Sequence, residues 1–141
     1  MESIHFFSED VDFAIENQKE LIRWIKRSIF SHNRALGNIN YIFCSDKFLH
    51  RINKEYLKHD TYTDIITFDQ SEEPEKIEGD IYISVERVEE NSALYHVPFQ
   101  NELNRVMAHG ILHLLGFNDK TKNEKEKMRR LEEEMLDSLV L

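Results

Sequence analysis

The sequence has few of the residues that mark disulfide-rich, flexible or membrane-spanning chains. Of its 141 residues, one is cysteine, four are glycine and two are proline. A lone cysteine, Cys44, cannot form an internal disulfide, which fits a reducing compartment. Scarce glycine and proline argue against long linkers and low-complexity arrays. No segment approaches the roughly 20 apolar residues of a membrane span or resembles a signal peptide, so we expect a cytoplasmic protein with no membrane partner.

Positive charge is also in deficit. The chain has 18 Lys and Arg against 27 Asp and Glu, which gives a formal net charge of −9. This balance argues against a protein whose whole surface binds nucleic acid, but it does not exclude one basic face. Hydrophobic residues make up 40% of the chain, enough for a single core at this length. We therefore expect one domain spanning residues 1–141.

Hydrophobic periodicity predicts helices and short strands in mixed order. Expected helices span residues 13–30, 46–57, 85–95, 99–115 and 120–141, and expected strands span 4–7, 40–45, 64–68 and 80–84. Residues 69–80 contain six acidic side chains and predict a solvated loop. The pattern indicates an α+β domain with an approximately four-stranded mixed sheet and helices packed on it.

Several apolar side chains are expected in the core. Trp24 and Cys44 are predicted to be buried, and Tyr56 is placed on the inward face of its helix with Phe48, Leu49 and Ile52. The last helix has a helically spaced row of apolar residues, Met128, Leu131, Met135 and Leu139. This row predicts that the helix docks back on the core.

Four cations follow one face of the second predicted helix. Lys47, Arg51, Lys54 and Lys58 are separated by four, three and four residues, which places them on one stripe. The stripe fits either an ordinary solvated face or a surface that binds RNA phosphates.

The segment most informative about chemistry contains two histidines one helical turn apart. His109 and His113 project from the same face of a helix, which lets both imidazoles reach one metal ion. Gly116 permits the left-handed conformation that ends a helix, so that Asp119 or Asn118 can supply a third ligand. Two histidines and a carboxylate with an open position predict a catalytic zinc site, with Fe²⁺ and Ni²⁺ as open alternatives.

The spacing also matches the zinc-protease pattern H-E-x-x-H-x-x-G-x-x-H, with two differences. Gly110 replaces the glutamate that acts as general base in those proteases, and Asp119 replaces the third histidine. Because glycine cannot accept a proton, the first difference argues against peptide hydrolysis. A metzincin-like zinc protease is kept as an alternative function.

Three blocks of sequence together point to one family. They are His109 to Asp119 (HGILHLLGFND), a block with Asn53, Tyr56 and Leu57 followed by residues 60–68 (DTYTDIITF), and Gly79-Asp80-Ile81. In their chain order, 53–68, 79–81 and 109–119, they resemble the bacterial rRNA maturation factor YbeY family, which consists of metal-dependent endoribonucleases. In the alignment of motifs, the family's third metal histidine falls on Asp119 and its arginine falls on Leu57.

The resemblance implies a single-strand-specific endoribonuclease in rRNA processing and late maturation of the small ribosomal subunit. The implied partners are small-subunit rRNA and either ribosomal small-subunit proteins or an assembly GTPase. Two further alternatives are a noncatalytic ribosome-assembly module with a structural metal and a non-haem iron enzyme.

The three predicted metal ligands suggest a mechanism, which we state as a hypothesis. Zinc held by His109, His113 and Asp119 would polarise a phosphodiester oxygen and lower the pKa of a bound water toward about 7. The sequence does not identify a general base. Candidates for a catalytic role are His59, Asp64 and Lys58, and Thr63 with Asp64 is also a candidate for orienting a ligand histidine.

Overall fold

A computed structural model describes residues 3–141. The elements are β1 (Ser3–Ser8), α1 (Gln18–Ser31), β2 (Ala35–Cys44), α2 (Asp46–Leu57), β3 (Ile65–Asp69), β4 (Lys76–Ser84), α3 (Val85–Tyr95), α4 (Phe99–Leu114) and α5 (Lys122–Asp137). The strands form one sheet in the order β1-β2-β4-β3. β2 runs parallel to both β1 and β4, whereas the edge strand β3 is antiparallel to β4. The expected α+β fold with a four-stranded mixed sheet is confirmed.

The sheet separates two hydrophobic clusters. The larger cluster combines apolar residues of the sheet with those of α1, α4 and α5. A smaller cluster lies under α2, where Leu49 and Ile52 pack with Ile66 of β3. Ile65, the next residue along β3, packs against the larger cluster instead, as the alternation of side chains in a strand requires. Helices α2 and α4 therefore cover opposite faces of the sheet beside the edge strand β3.

Four predicted element boundaries are wrong. One is the end of α5, which stops at Asp137 rather than residue 141 because Ser138 caps the helix there. α1 begins at Gln18 rather than residue 13, because Asn17 adopts a left-handed conformation (φ 58°) that starts the helix there. Phe13 and Ile15 are apolar because the preceding loop packs on the core, not because they are helical. β2 begins at residue 35 and β4 at residue 76, since these two ends pair with each other. The acidic loop is correspondingly shorter than expected.

Most of the core predictions are confirmed, with one exception. Trp24 is fully buried, and its Nε1 donates to the Met135 carbonyl at 2.6 Å, which ties α5 to α1. Cys44 is buried in β2, and desolvation raises the pKa of its thiol to about 12, so it is not a nucleophile. The exception is Tyr56, which is 68% exposed and meets Phe68 edge-on at the surface.

No helix within residues 3–141 is both long enough and apolar enough to cross a membrane.

Candidate metal centre

The two histidines of the predicted site lie on α4, which is held tightly against the sheet. The Tyr41 hydroxyl of β2 donates to the Met107 carbonyl at 3.0 Å. At Gly110 the helix approaches so closely that an added Cβ would lie 2.9 Å from Cγ2 of Ile81. Because Gly110 faces the sheet, its neighbours His109 and His113 on the helix face the edge beside β3.

The chain after α4 turns sharply and returns to the histidines. Gly116 has φ +100°, the left-handed conformation that the sequence predicted for the end of this helix. A capping box then starts α5, in which the Glu124 backbone N–H donates to the Thr121 hydroxyl at 3.1 Å and the Glu124 carboxylate accepts from the Thr121 N–H at 2.9 Å. Gly116 on one side and this capping box on the other therefore define the turn that carries Asp119.

His109, His113 and Asp119 converge in the fold. The Nε2 atoms of the two histidines are 2.9 Å apart, and Asp119 Oδ2 lies 3.2 Å from His109 Nε2 and 3.4 Å from His113 Nε2. Tetrahedral coordination at bond lengths of about 2.0 to 2.1 Å separates ligand atoms by roughly 3.3 Å. The three donor atoms therefore fit a small divalent cation with a further position left for water or substrate. Asn118, the other candidate for third ligand, interacts with Glu124 instead.

Sequence reasoning missed the residues that orient His109. Its Nδ1–H donates to Glu132 Oε2 of α5 at 2.6 Å, which leaves Nε2 to face the other two donors. Glu132 is itself buried and is held by Arg105 of α4 at 3.0 Å, while Arg105 also meets Glu133 at 2.5 Å. A carboxylate behind a metal-binding histidine is a recurring arrangement that fixes the tautomer of the ring.

The sequence contains one signal that Glu132 is buried. Glu132 follows Leu131 directly and comes four residues after Met128, so it lies on the buried side of the last helix. A carboxylate on an apolar helical face needs a partner, because an unpaired buried charge is costly. Its partner could not be named without the structure, because His109 is 23 residues away in sequence.

The pKa values of the two histidines are shifted in opposite directions by their surroundings. Burial lowers the pKa of His109, but its hydrogen bond to Glu132 and the charges of Glu132, Asp119 and Asp64 outweigh burial, so that pKa is raised overall. Burial and the charge of His109 lower the pKa of His113, against an opposing influence of Asp119. A proton on His109 therefore competes with a cation at this site up to a higher pH than at an ordinary histidine.

A cleft of about 440 Å³ opens over the three donor atoms, between α2, β3 and α4. His59 and Asp64 line it, as does Leu57, the position where the resemblance expects an arginine. Burial raises the pKa of Asp64 against the opposing influence of His109. Among the described residues that line this cleft, none is lysine or arginine. The cleft therefore offers acidic, imidazole and hydroxyl groups but no fixed cation to a phosphate.

The predicted cationic stripe lies outside this cleft. Lys47, Arg51, Lys54 and Lys58 are all exposed, and none lines the cleft. Arg51 packs over the ring of Phe48 at 5.2 Å. Lys58 is the C-cap of α2 with φ 60°, one residue beyond the cleft-lining Leu57. RNA binding by the stripe and catalysis by Lys58 stay predictions.

The position of Gly110 bears on the protease alternative. A glutamate there would have to enter the space between α4 and the sheet, where Ile81 and Ile65 already lie near the position of a Cβ. It could not reach the side of the helix that carries His109 and His113. The site therefore lacks the general base of the protease pattern and has no room for one.

Comparison with known proteins agrees with the motif analysis. The family model described as Endoribonuclease YbeY matches residues 3–140. A relative from Christiangramia forsetii, named endoribonuclease YbeY, is 52% identical over 133 residues, covering 94% of this chain and 92% of its own. A relative of the same name from Amoebophilus asiaticus is 51% identical over 130 residues, covering 92% of this chain and 88% of its own.

A solved structure has the same fold. The solution structure of a Thermotoga maritima protein matches with a TM-score of 0.64 and 26% sequence identity, covering 96% of this chain and 90% of that chain. The family match and the two relatives span nearly the whole sequence, so the likeness includes the sheet, the cleft and the turn that carries Asp119. The chain belongs to the endoribonuclease YbeY family.

Proposed function

We propose that this protein is a metal-dependent endoribonuclease that hydrolyses phosphodiester bonds in single-stranded RNA, with residues 1–141 as one catalytic domain. The observation that supports the proposal most strongly is the convergence of His109, His113 and Asp119 at the end of an open cleft. The endoribonuclease name of the relatives supports the RNA substrate. The sheet-facing Gly110 disfavours the protease alternative.

The proposed cation is Zn²⁺, held by two imidazole nitrogens and one carboxylate oxygen. This donor set suits zinc, and Fe²⁺ and Ni²⁺ are the alternatives that elemental analysis would separate. A bound divalent cation would polarise a phosphodiester oxygen and make a water more acidic. Glu132 would hold the lone pair of His109 Nε2 toward the cation by accepting a hydrogen bond from Nδ1–H.

The reaction requires a proton acceptor, and Asp64 is the proposed one. Hydrolysis joins the oxygen of a water molecule to phosphorus and breaks one phosphorus–oxygen ester bond, while the water loses a proton. Asp64 lines the cleft beside His109, and burial raises the pKa of its carboxyl, which makes the carboxylate a better base. His59, on the exposed side of the cleft, is the proposed donor to the leaving oxygen.

The proposed substrate is rRNA of the small ribosomal subunit, which would place the enzyme in the bacterial cytoplasm. Lys47, Arg51, Lys54 and Lys58 would contact phosphates outside the cleft, and ribosomal proteins or an assembly GTPase would present the RNA. Binding to isolated RNA should be weak and salt-sensitive, because the protein has a net charge of −9 and the basic stripe is small.

The test compares cleavage of one RNA sequence in single-stranded and duplex form by the purified, zinc-loaded protein. We expect cleavage of the single strand alone, loss of cleavage with a chelator, and loss of both zinc and cleavage in His113→Ala. His5→Ala is the matched control, since His5 is exposed on β1 at the opposite edge of the sheet from β3. Unchanged cleavage by a folded, zinc-free His113→Ala protein would refute the proposal.

A further inference from the structure

Glu102 of α4 is a mostly buried residue whose carboxylate has no partner among residues 3–141. Glu102 is 6% exposed, and its side chain forms no hydrogen bond or ion pair with any residue between 3 and 141. Burial raises the pKa of its carboxyl, while the charges of Arg105 and Arg129 act in the opposite direction without contacting it. The Glu102 oxygens are unpaired yet still reach solvent, because they are not among the fully buried unpaired atoms of residues 3–141. They are therefore free to accept hydrogen bonds from a ligand.

Glu102 lines a cavity of about 640 Å³ between the end of α3, α4 and α5. Its walls are mixed: Val97, Leu136 and Leu139 are among the apolar residues, and polar or charged side chains, Glu102 included, make up about half of the lining. The volume lies in the range of sites that bind a small organic group, and the polar groups can fix its orientation.

The cavity connects with the candidate metal centre. A recess of about 260 Å³ is lined by His109 and Asp119 of the metal centre and also by Glu102 of the cavity. Tyr95, Arg105 and Arg129 line both the recess and the larger cavity. Glu102 precedes His109 by seven residues, so both lie on the same face of α4, about 10 Å apart along its axis. That span is comparable with the reach of a nucleotide from its phosphate to the far edge of its base.

Two side chains at the cavity mouth suit a nucleotide. Tyr95 is 56% exposed, and its ring stacks on no other aromatic ring of the described chain. Arg129 is mostly exposed, and its one ion pair with a residue between 3 and 141 is the long contact to Glu133 at 3.9 Å. A free aromatic face and a loosely held guanidinium are the groups with which proteins hold the bases and phosphates of single-stranded RNA.

We propose that this cavity is a guanine-binding subsite, in which Glu102 accepts hydrogen bonds from the N1–H and the 2-amino group of a base that stacks on Tyr95. The base belongs to a nucleotide next to the phosphate at the metal centre, so the inference rests on the proposed RNA substrate. Arg129 contacts a phosphate of the same nucleotide.

The choice of guanine follows from the chemistry of the carboxylate. An ionised carboxylate only accepts hydrogen bonds, and its two oxygens pair best with two adjacent donors. On the Watson–Crick edge, guanine alone has two adjacent N–H donors. Adenine and cytosine place a ring nitrogen acceptor beside their amino group, and uracil flanks its single N–H with two carbonyls. A bidentate contact of this kind discriminates between bases by about 10-fold to 100-fold.

The first test uses guanosine 5′-monophosphate as a probe of the whole protein, followed by NMR of its backbone amides. We expect shifts at the end of α3 and in the first turns of α4, with inosine 5′-monophosphate, which lacks only the 2-amino group, binding about 10-fold more weakly. Glu102→Gln should remove the preference for the guanine probe, and Tyr95→Ala should weaken both nucleotides. Glu126→Gln, an exposed change on α5 outside the cavity, is the matched control. Equal shifts with both nucleotides, or an unaltered preference in Glu102→Gln, would overturn the subsite.

The second test maps cleavage of single-stranded RNAs in which one guanosine is replaced by inosine. We expect cleavage near that position to fall by about 10-fold in the wild type and not to change in Glu102→Gln. If the wild type cleaves both RNAs at the same rate, the subsite is refuted, but the proposed endoribonuclease activity is not. Guanine-selective binding without any RNA cleavage would instead support the subsite and refute the proposed reaction.

Discussion

Glu132 Oε2 accepts a hydrogen bond from His109 Nδ1 at 2.6 Å, and this contact joins the last helix of the chain to the candidate metal centre. The other oxygen of Glu132 is held by Arg105 at 3.0 Å, so the carboxylate is fixed from both sides. The contact gives α5 a role beyond covering the core, because it sets which nitrogen of His109 faces the cation. Changes at Glu132 should therefore be visible in metal binding.

Glu132→Gln should weaken zinc binding by about 10-fold to 100-fold, the usual effect of removing a carboxylate behind a metal-binding histidine. The measurement is a competition titration with a chromophoric chelator. Glu133→Gln is the control, because Glu133 shares the same partner, Arg105, but does not contact His109. Equal losses in the two variants would mean that only the packing of α5 matters.

Zinc affinity should depend on pH in the range set by His109. Because the pKa of His109 is raised above its usual value, a proton competes with the cation up to a higher pH than for an ordinary histidine. Affinity should fall by about tenfold per pH unit below that pKa and level off above it. In Glu132→Gln the fall should begin at a lower pH, since the main stabilising partner of the proton is lost. A pH profile identical in the two proteins would contradict this account.

Leu57→Arg should increase RNA cleavage. Leu57 is 40% exposed and lines the cleft at the position where the family motif has arginine, and no lysine or arginine within the described residues lines that cleft. A guanidinium there should improve kcat/KM for single-stranded RNA by about tenfold, the scale of one charge-assisted contact. Leu94→Arg, a similar change of an exposed leucine on α3, serves as the control. Equal gains in both variants would show that added charge anywhere suffices.

Gly110→Glu should lower stability and should not produce a protease. The substitution completes the H-E-x-x-H pattern, but its side chain would start 2.9 Å from Ile81 in the packed space between α4 and the sheet. Overpacking and a buried charge together predict a loss of more than about 3 kcal/mol in the free energy of unfolding. Urea denaturation measures the loss, and a casein assay tests for peptide hydrolysis. A stable variant that hydrolyses casein would contradict the placement of this residue.

The sequence predicted those parts of the site that depend on local spacing. His109 and His113 are one helical turn apart, Gly116 ends the helix and Asp119 follows directly, so the three could be expected to meet. The cation-binding role of the three residues stays a prediction that the titrations above test. Glu132 could not be assigned to His109, because that contact depends on how α5 docks rather than on any spacing within one element.

The wrong element boundaries also result from contacts between distant parts of the chain. The apolar row of α1 continues back to Ile15, seven residues before Ile22, which predicts a helix that begins near residue 13. In the fold, however, Phe13 packs against Phe43 from a loop. The ends of β2 and β4 depend on pairing between residues 35 and 76, which are far apart in sequence. Local composition therefore predicted the number and type of elements better than their ends.

The central claim is that one cation held by His109, His113 and Asp119 is required for RNA cleavage. The most direct test titrates zinc into the purified, chelator-treated protein while the initial rate of cleavage of a single-stranded RNA is measured. The account predicts that activity rises and reaches a plateau at one zinc per chain, and that His113→Ala shows neither the rise nor the bound zinc. Cleavage that does not depend on zinc, or the same plateau in His113→Ala, would contradict it.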